Sequence, residues 1–242
     1  MFIFLVFWVN SKPVSSFPMT KQEVKNALAG TSNKSTLRPS GIGYKLVKWA
    51  FSTHLEFILD IYNAALHLGH HPWTTANIVI IPKLNKPDYL SAKAYRPVSL
   101  LECFGKVLEK IVANCFTSDA NLHDILPHSQ FGSQLYHSAT DTCSLLRYKA
   151  ETTINNGRIG GVLLFDISRF FDHLDPAFTS RVLHHLGIDD LTIAWVSNFM
   201  TCQKITMLFN NHMTEPLEPD LGTPQGSPRS PILSALMTGP IL

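Results

Sequence analysis

The alternation of apolar and polar positions divides the chain into short helices with scattered strands, and no segment repeats another. Residues 19–30 (MTKQEVKNALAG) predict a short helix, with Thr20 as N-cap, Glu23 completing a capping box and Gly30 as the stop. A Ser/Gly/Pro loop over 31–43 leads to a longer helix over about 45–68, in which Leu55, Ile58, Leu59, Tyr62 and Leu66 share one face. ANIVII (76–81) reads as a buried strand ended by Pro82, and 83–97 as a polar, Lys-rich loop ending in Tyr95-Arg96-Pro97. Phe104, Val107, Leu108, Ile111 and Cys115 recur at helical spacing and predict a helix over about 101–116; another is expected over 139–153.

GVLLF (161–165) is a short, continuous apolar run with Asp166 directly at its end, the pattern of a buried strand. Helices are expected over roughly 176–186 and 190–200. Residues 203–209, a turn at Asn210-Asn211 and residues 213–217 resemble a β-hairpin, and the Gly/Pro-rich LGTPQGSPRSP opens a last helix. Helices and strands in this mixed order make an α+β protein, not a regular βαβ series. Residues 1–18 are expected to lie outside the domain.

Composition sharpens this. Hydrophobic residues form 45% of the 242 and charged residues 16%, the latter low against a usual share of about 25%. That excludes a disordered tail and suits a globular chain with much surface to bury. Net charge is only +2, but residues 1–121 carry 13 basic against 7 acidic groups and residues 122–242 carry 7 against 11. A basic front and an acidic back suit phosphates held by one part and metal ions by the other, although such a split also arises by ordinary fluctuation. The four cysteines lie far apart without a C-x-x-C pair and read as buried thiols. His70-His71 and His184-His185 are adjacent pairs that point apart, so no metal is assigned to them. The apolar start, MFIFLVFWVN, is too short to span a bilayer and lacks the basic flank of a signal peptide.

Three segments carry chemistry. In GVLLFDISRFFDHLD (161–175), a strand would deliver Asp166 to its edge, where a carboxylate suits a hard ion such as Mg²⁺; alternatively Asp166 caps the following turn. In LGTPQGSPRSPIL (221–233), Gly222, Pro224, Gly226, Pro228 and Pro231 fix a tight backbone that presents Gln225 and could press against a flat base pair. The plainer reading is a helix entry, with Ser227 as cap and Pro228 at the first helical position. In IIPKLNKPDYLSAKAYRPVSLL (80–101), Lys83, Lys86, Lys93 and Arg96 suit a triphosphate, or form a solvated basic loop.

The series IPK…AYRPVSLLECFGKVLEKI, SQFG…SATD, LLFDISRFFD and GTPQGSPRSPIL, in that order, resembles the reverse transcriptase domain of non-LTR (LINE-type) retrotransposons from about residue 19 to the end. NKSTLRPSGIGYKLVKWA looks like that family's S-x-P-G-P-D/S-G-I loop. The resemblance implies a partial right-hand polymerase, with fingers over about 19–158, an incomplete palm over about 159–242 and no thumb. It implies an RNA-directed DNA polymerase using Mg²⁺, an RNA template, a DNA primer and deoxynucleoside triphosphates, without a membrane and inside the cell, nuclear or cytoplasmic. Asp166 then matches the first catalytic, metal-binding Asp, with the carbonyl of Ile167 also facing a metal. Phe171 matches the aromatic residue that excludes a ribose 2′-OH. Arg96, and less closely Lys83, match residues on the incoming triphosphate, and Gln225 and Gly226 match the loop beside the nascent base pair.

The family's aromatic-Ala-Asp-Asp motif does not occur in these 242 residues. One carboxylate cannot hold two divalent ions about 4 Å apart, and Asp172 and Asp175 match no metal-binding position, so the chain as written is expected not to polymerise. FGSQLYHSATD places Gln134, Leu135 and His137 where the family has Arg, Pro and Arg; Phe170 replaces a small Ala, Arg229 takes an apolar position, and Thr36-Leu37-Arg38 stands where Ala-Pro-Gly is usual. Most of these changes need a single C→T or G→A step, which suits a decaying transposon copy; Phe170 does not. Two alternatives to a polymerase domain follow: a non-catalytic nucleic-acid-binding remnant, and a decayed copy without function.

Overall fold

The first helix, α1 (Lys21–Leu28), starts where the sequence says it should: Thr20 Oγ1 accepts from the Glu23 N–H (3.2 Å) and the Glu23 carboxylate accepts from the Thr20 N–H (2.7 Å). The reciprocal pair satisfies two donors that a helix start otherwise leaves bare. The structure is a computed structural model describing residues 18–34, 38–134, 136–164, 166–167, 169–209, 212–219 and 222–238. Residues 1–17, Phe165, the Asn210-Asn211 turn, Leu135 and Thr36-Leu37 therefore lie outside the described residues.

The long helix expected over 45–68 is two, α2 (Tyr44–Thr53) and α3 (Leu55–His67), joined at His54 (φ −131°, ψ 39°). The Ser52 and Thr53 hydroxyls both donate to the Trp49 carbonyl, at 2.7 and 3.0 Å. Hydroxyls that compete for the last carbonyls weaken a helix there. The bend lets Val47 and Phe51 of α2 and Ile58, Leu59, Tyr62 and Leu66 of α3 bury in one core.

The strand expected over 76–81 is β1 (Thr75–Pro82). It pairs antiparallel with β2 (Tyr95–Leu101) and parallel with β3 (Lys204–Phe209), which turns back into the short β4 (His212–Met213). The sheet order is β2-β1-β3-β4. Tyr95 and Arg96 thus belong to a strand and not to the loop assigned to them: Ile81 faces Arg96 across the ladder, which extends the pairing two residues past Pro97. Of the expected hairpin the first arm forms, as β3; in the second only His212–Met213 is strand, with Ile205 bridging Leu217 and the Thr214 N–H donating to the Met207 carbonyl at 3.0 Å.

Helix α4 (Cys103–Leu122) begins later than expected because Leu101 is the last residue of β2, and runs six residues further. Its long apolar face, with Val107, Leu108, Ile111 and Phe116, forms the middle of the core. Around it lie α1, α2, α6 (Pro176–His185), α7 (Asp190–Thr201) and α8 (Ser230–Thr238). Helix α5 (Ala139–Asn155) is capped like α1, by Ser138 with Asp141, yet none of its residues is buried. No strand forms over the described part of the expected 161–165 run: residues 161–164 carry none, and Val162, Leu163 and Leu164 are 63–85% exposed. An apolar run becomes a strand only where another strand takes its backbone groups, and among the described residues none pairs with it. The chain is α+β as expected.

Candidate functional site

The glycines of the 222–230 loop set its shape. Gly222 (φ 101°) donates its N–H to the Leu174 carbonyl at 3.0 Å, and Thr223 donates to the Phe171 carbonyl at 2.8 Å. A Cβ on Gly222 would stand 2.8 Å from that Phe171 oxygen, so no side chain fits. Three residues on, the Gln225 carbonyl accepts the Ser99 N–H of β2 at 2.8 Å. Gly226 (φ 127°) lies so close to the Ser99 carbonyl that its Cβ would come within 2.8 Å. The backbone of one loop therefore ties β2 to the segment carrying Phe171, and it leaves Gln225 exposed on its outer side.

Arg96 sits three residues before Ser99 on β2, roughly 10 Å along the strand, and is exposed. No described residue pairs with its guanidinium. Lys83 follows β1; its ammonium donates to the Lys93 carbonyl (2.9 Å) and its N–H to the Ala94 carbonyl (2.8 Å). Tyr89 donates to the Lys83 carbonyl at 2.8 Å and Tyr95 to the Tyr89 carbonyl at 3.0 Å, folding the basic loop back on itself. Phe171 is half-buried, with its ring edge-on to Phe170 at 5.6 Å. Phe170 itself packs against the core. The backbone ties thus join β2 at Ser99 to the Phe171 segment through the 222–226 loop; Arg96 stands three residues away along β2, and no described hydrogen bond or ion pair links its side chain to that loop.

Asp166 and Ile167 are not drawn into this assembly by any hydrogen bond or ion pair among the described residues, and both are exposed. No hydrogen bond among the described residues makes Asp166 a cap: the 3-10 turn at Phe170–His173 is preceded by Arg169 in the left-handed conformation (φ 52°), with no side-chain cap. Asp175 caps α6, accepting from the Ala177 N–H at 2.9 Å. The chain's Asp-Asp pair, Asp189-Asp190, opens α7, where Asp189 accepts from the Thr192 N–H at 2.9 Å. Among the described residues no group of three or more His, Cys, Asp or Glu is placed to hold a metal ion.

Beneath the loop lies a polar centre that the sequence does not reveal. Glu109 of α4 is fully buried, and one of its carboxylate oxygens accepts the Ser227 hydroxyl. Ser227 also caps the turn into the last helix: its side-chain oxygen accepts the Arg229 N–H at 3.2 Å and its carbonyl the Ser230 N–H at 3.3 Å, with Pro228 between them, although the regular α8 starts only at Ser230. Arg229, at an apolar position of the motif, is wholly buried, with its guanidinium 3.9 Å from the centre of the Phe199 ring and 5.1 Å from that of Trp195. Aromatic faces attract such a cation, yet its three nitrogens have no hydrogen-bond partner. His71, buried beside Trp73, Trp195 and Phe199, likewise leaves both ring nitrogens unpartnered. Burial pushes Glu109 up to about 7, against the pull of Arg229, the Ser227 hydrogen bond and Lys106. Burial, then the nearby Arg229 charge, pushes His71 down to about 3. Arg229 is lowered to about 10 by burial, with Glu109 opposing. A polar residue between Leu108 and Ile111 on an apolar helix is the one local sign of Glu109, and its partner is 118 residues away.

Residues 81–242 match the family of reverse transcriptases, RNA-dependent DNA polymerases, and the chain belongs to that family. Its homologues come from non-LTR retrotransposons. It is 28% identical over 167 residues to the RNA-directed DNA polymerase from mobile element jockey of Drosophila melanogaster, an alignment covering 68% of this chain and 18% of that protein. To the jockey polymerase of Drosophila funebris it is 24% identical over 91% of this chain and 24% of that protein. To the retrovirus-related Pol polyprotein from type-1 retrotransposable element R2 of Popillia japonica it is 24% identical over 89% of this chain and 29% of that protein. The chain thus spans less than a third of the length of these relatives.

Proposed function

We propose that the chain forms the fingers (about 19–158) and the front of the palm (about 159–242) of an RNA-directed DNA polymerase, acting on an RNA template, a DNA primer and deoxynucleoside triphosphates. The observation that carries this is the double tie of the 222–230 loop. Ser99 donates to Gln225 and Thr223 donates to Phe171, so motifs up to 126 residues apart share one surface. In this reading the Arg96 fork binds triphosphate oxygens bidentately. Lys83 supports it as a point charge, with one of its three ammonium donors already engaged within the loop. The side-chain-free backbone at Gly226 lies flat beside the nascent base pair, Gln225 faces it, and the Phe171 ring blocks a ribose 2′-OH.

Asp166 and the Ile167 carbonyl would supply oxygen ligands to Mg²⁺, which in such enzymes activates the primer hydroxyl and steadies the leaving phosphate. These two alone do not fit a two-metal centre, since they offer one carboxylate. The aromatic-Ala-Asp-Asp motif that would complete it is not in the 242 residues. We therefore assign nucleotide and template binding to this stretch of sequence, and no polymerisation by it alone. A nucleic-acid-binding remnant is the second reading, favoured by the exposed position of Asp166.

Filter binding of a labelled deoxynucleoside triphosphate to the protein with its RNA–DNA primer–template, across a salt series, tests the assignment. Wild type is expected to retain the triphosphate with a salt-dependent affinity, and Arg96→Ala to weaken its binding while leaving primer–template binding near the wild-type value. Equal triphosphate affinity in the two proteins would remove Arg96 from the site.

A further inference from the structure

The 224–227 turn is closed on itself by the Ser227 N–H donating to the Pro224 carbonyl at 3.1 Å, and it is held at two ends. One end hangs on β2, through Ser99 to Gln225; the other reaches into the core, where the Ser227 hydroxyl donates to Glu109. Glu109 stands in the second turn of the 20-residue α4, whose apolar face packs into the core. A buried carboxyl in such a place is costly unless it has something to hold. Its second oxygen has no hydrogen-bond partner, the charges it feels are those of Arg229 and Lys106, and its own charge helps to raise the hydroxyls of Tyr44 and Tyr62. The Ser227 hydroxyl is thus the hydrogen-bond partner that explains a glutamate at this position.

We propose that Glu109 is a positioning residue: from the buried face of α4 it grips Ser227 and sets how closely the Gln225–Gly226 turn stands to β2. It touches no substrate. Gly226 already lies too near the Ser99 carbonyl to admit a side chain, so a turn released at Ser227 would lose that fit at Ser99 first. That the turn faces a base pair rests on the polymerase reading above; that Glu109 holds the turn does not.

Amide hydrogen exchange on the full chain tests this without nucleic acid, so failure of the polymerase reading would not touch the outcome. In Ser227→Ala and Glu109→Ala, exchange is expected to rise roughly tenfold at Ser99 and across 222–227. It should stay unchanged in α1 and α7. Glu109→Gln, which keeps an acceptor oxygen, should restore protection of the turn. Ser227→Ala makes only a small change in volume and keeps the test open if Glu109→Ala fails to fold. Wild-type exchange at Ser99 and 222–227 in Ser227→Ala would overturn the proposal, as would a rise equally large in α7.

Discussion

Two apolar runs of similar length and character meet opposite fates in this chain. ANIVII becomes β1, between β2 on one side and β3 on the other, while GVLL at 161–164 stays unpaired and exposed. Hydrophobicity does not separate them. What does is the presence of partners: β1 finds β2 thirteen residues on, across the loop braced by Tyr89 and Tyr95, and β3 comes back from the far end of the chain. The same contrast divides the helices. α1 and α5 open on equivalent capping boxes, but α1 packs on α4 and α5 buries nothing.

The sharpest way to break the comparison is a proline in each run. Val79 pairs with Val98 and with Leu208, so Val79→Pro removes a ladder donor in the sheet interior and is expected to cost several kcal/mol, on the order of the whole folding stability. Leu163→Pro should change the melting temperature hardly at all, and a large fall there would mean that 161–164 is paired in solution. Next in size is a pair of truncations. Leu108→Ala, in the core, should cost about 2–5 kcal/mol in chemical denaturation. Leu146→Ala, on α5, should stay within about 0.5 kcal/mol.

The buried polar centre adds a pH test. Glu109 titrates at about 7 in the folded protein, above its ordinary 4.5. Its contribution is therefore full at acid pH and is lost as pH rises through 7. His71 titrates at about 3, below its ordinary 6.5, so its contribution is present above 6.5 and is lost as pH falls. Between these ordinary values the two slopes oppose and cancel. Relative to wild type, Glu109→Gln should therefore gain stability with rising pH, by up to about 1.4 kcal/mol per pH unit. His71→Phe should do the reverse; parallel stability–pH curves for all three proteins would contradict these assignments. The smallest expected effect concerns the caps. Thr20→Ala should lower global stability by about 1 kcal/mol. Ser138→Ala should loosen amide protection only within α5.

What the sequence disclosed was local chemistry. The Thr20–Glu23 box depends on neighbours in the chain and appears as expected; ANIVII forms its strand, though only with partners from elsewhere, and of the hairpin the first arm forms while the second is a strand only at His212–Met213. The break at His54 escaped because the apolar face continues across it; the competition of Ser52 and Thr53 for one carbonyl leaves that spacing untouched. The motif order suggested one site for Arg96, Phe171, Gln225 and Gly226; the backbone ties join the last three to β2 at Ser99 and leave Arg96 without a link to them among the described residues. The Glu109–Ser227 pair was not legible, because its meeting depends on α4 and the loop packing together across 118 residues of chain. Arg229 looked like damage at an apolar position; its guanidinium lies on the Phe199 ring.

The central claim is that β2 and the 222–227 loop face nucleic acid. The most direct measurement is photo-crosslinking of an RNA–DNA primer–template carrying a photoreactive base at the primer end, with adducts mapped by mass spectrometry. Adducts concentrated in 83–99 and 222–227 are the expected result. Adducts concentrated instead on α5, with none in 83–99 or 222–227, would contradict that placement.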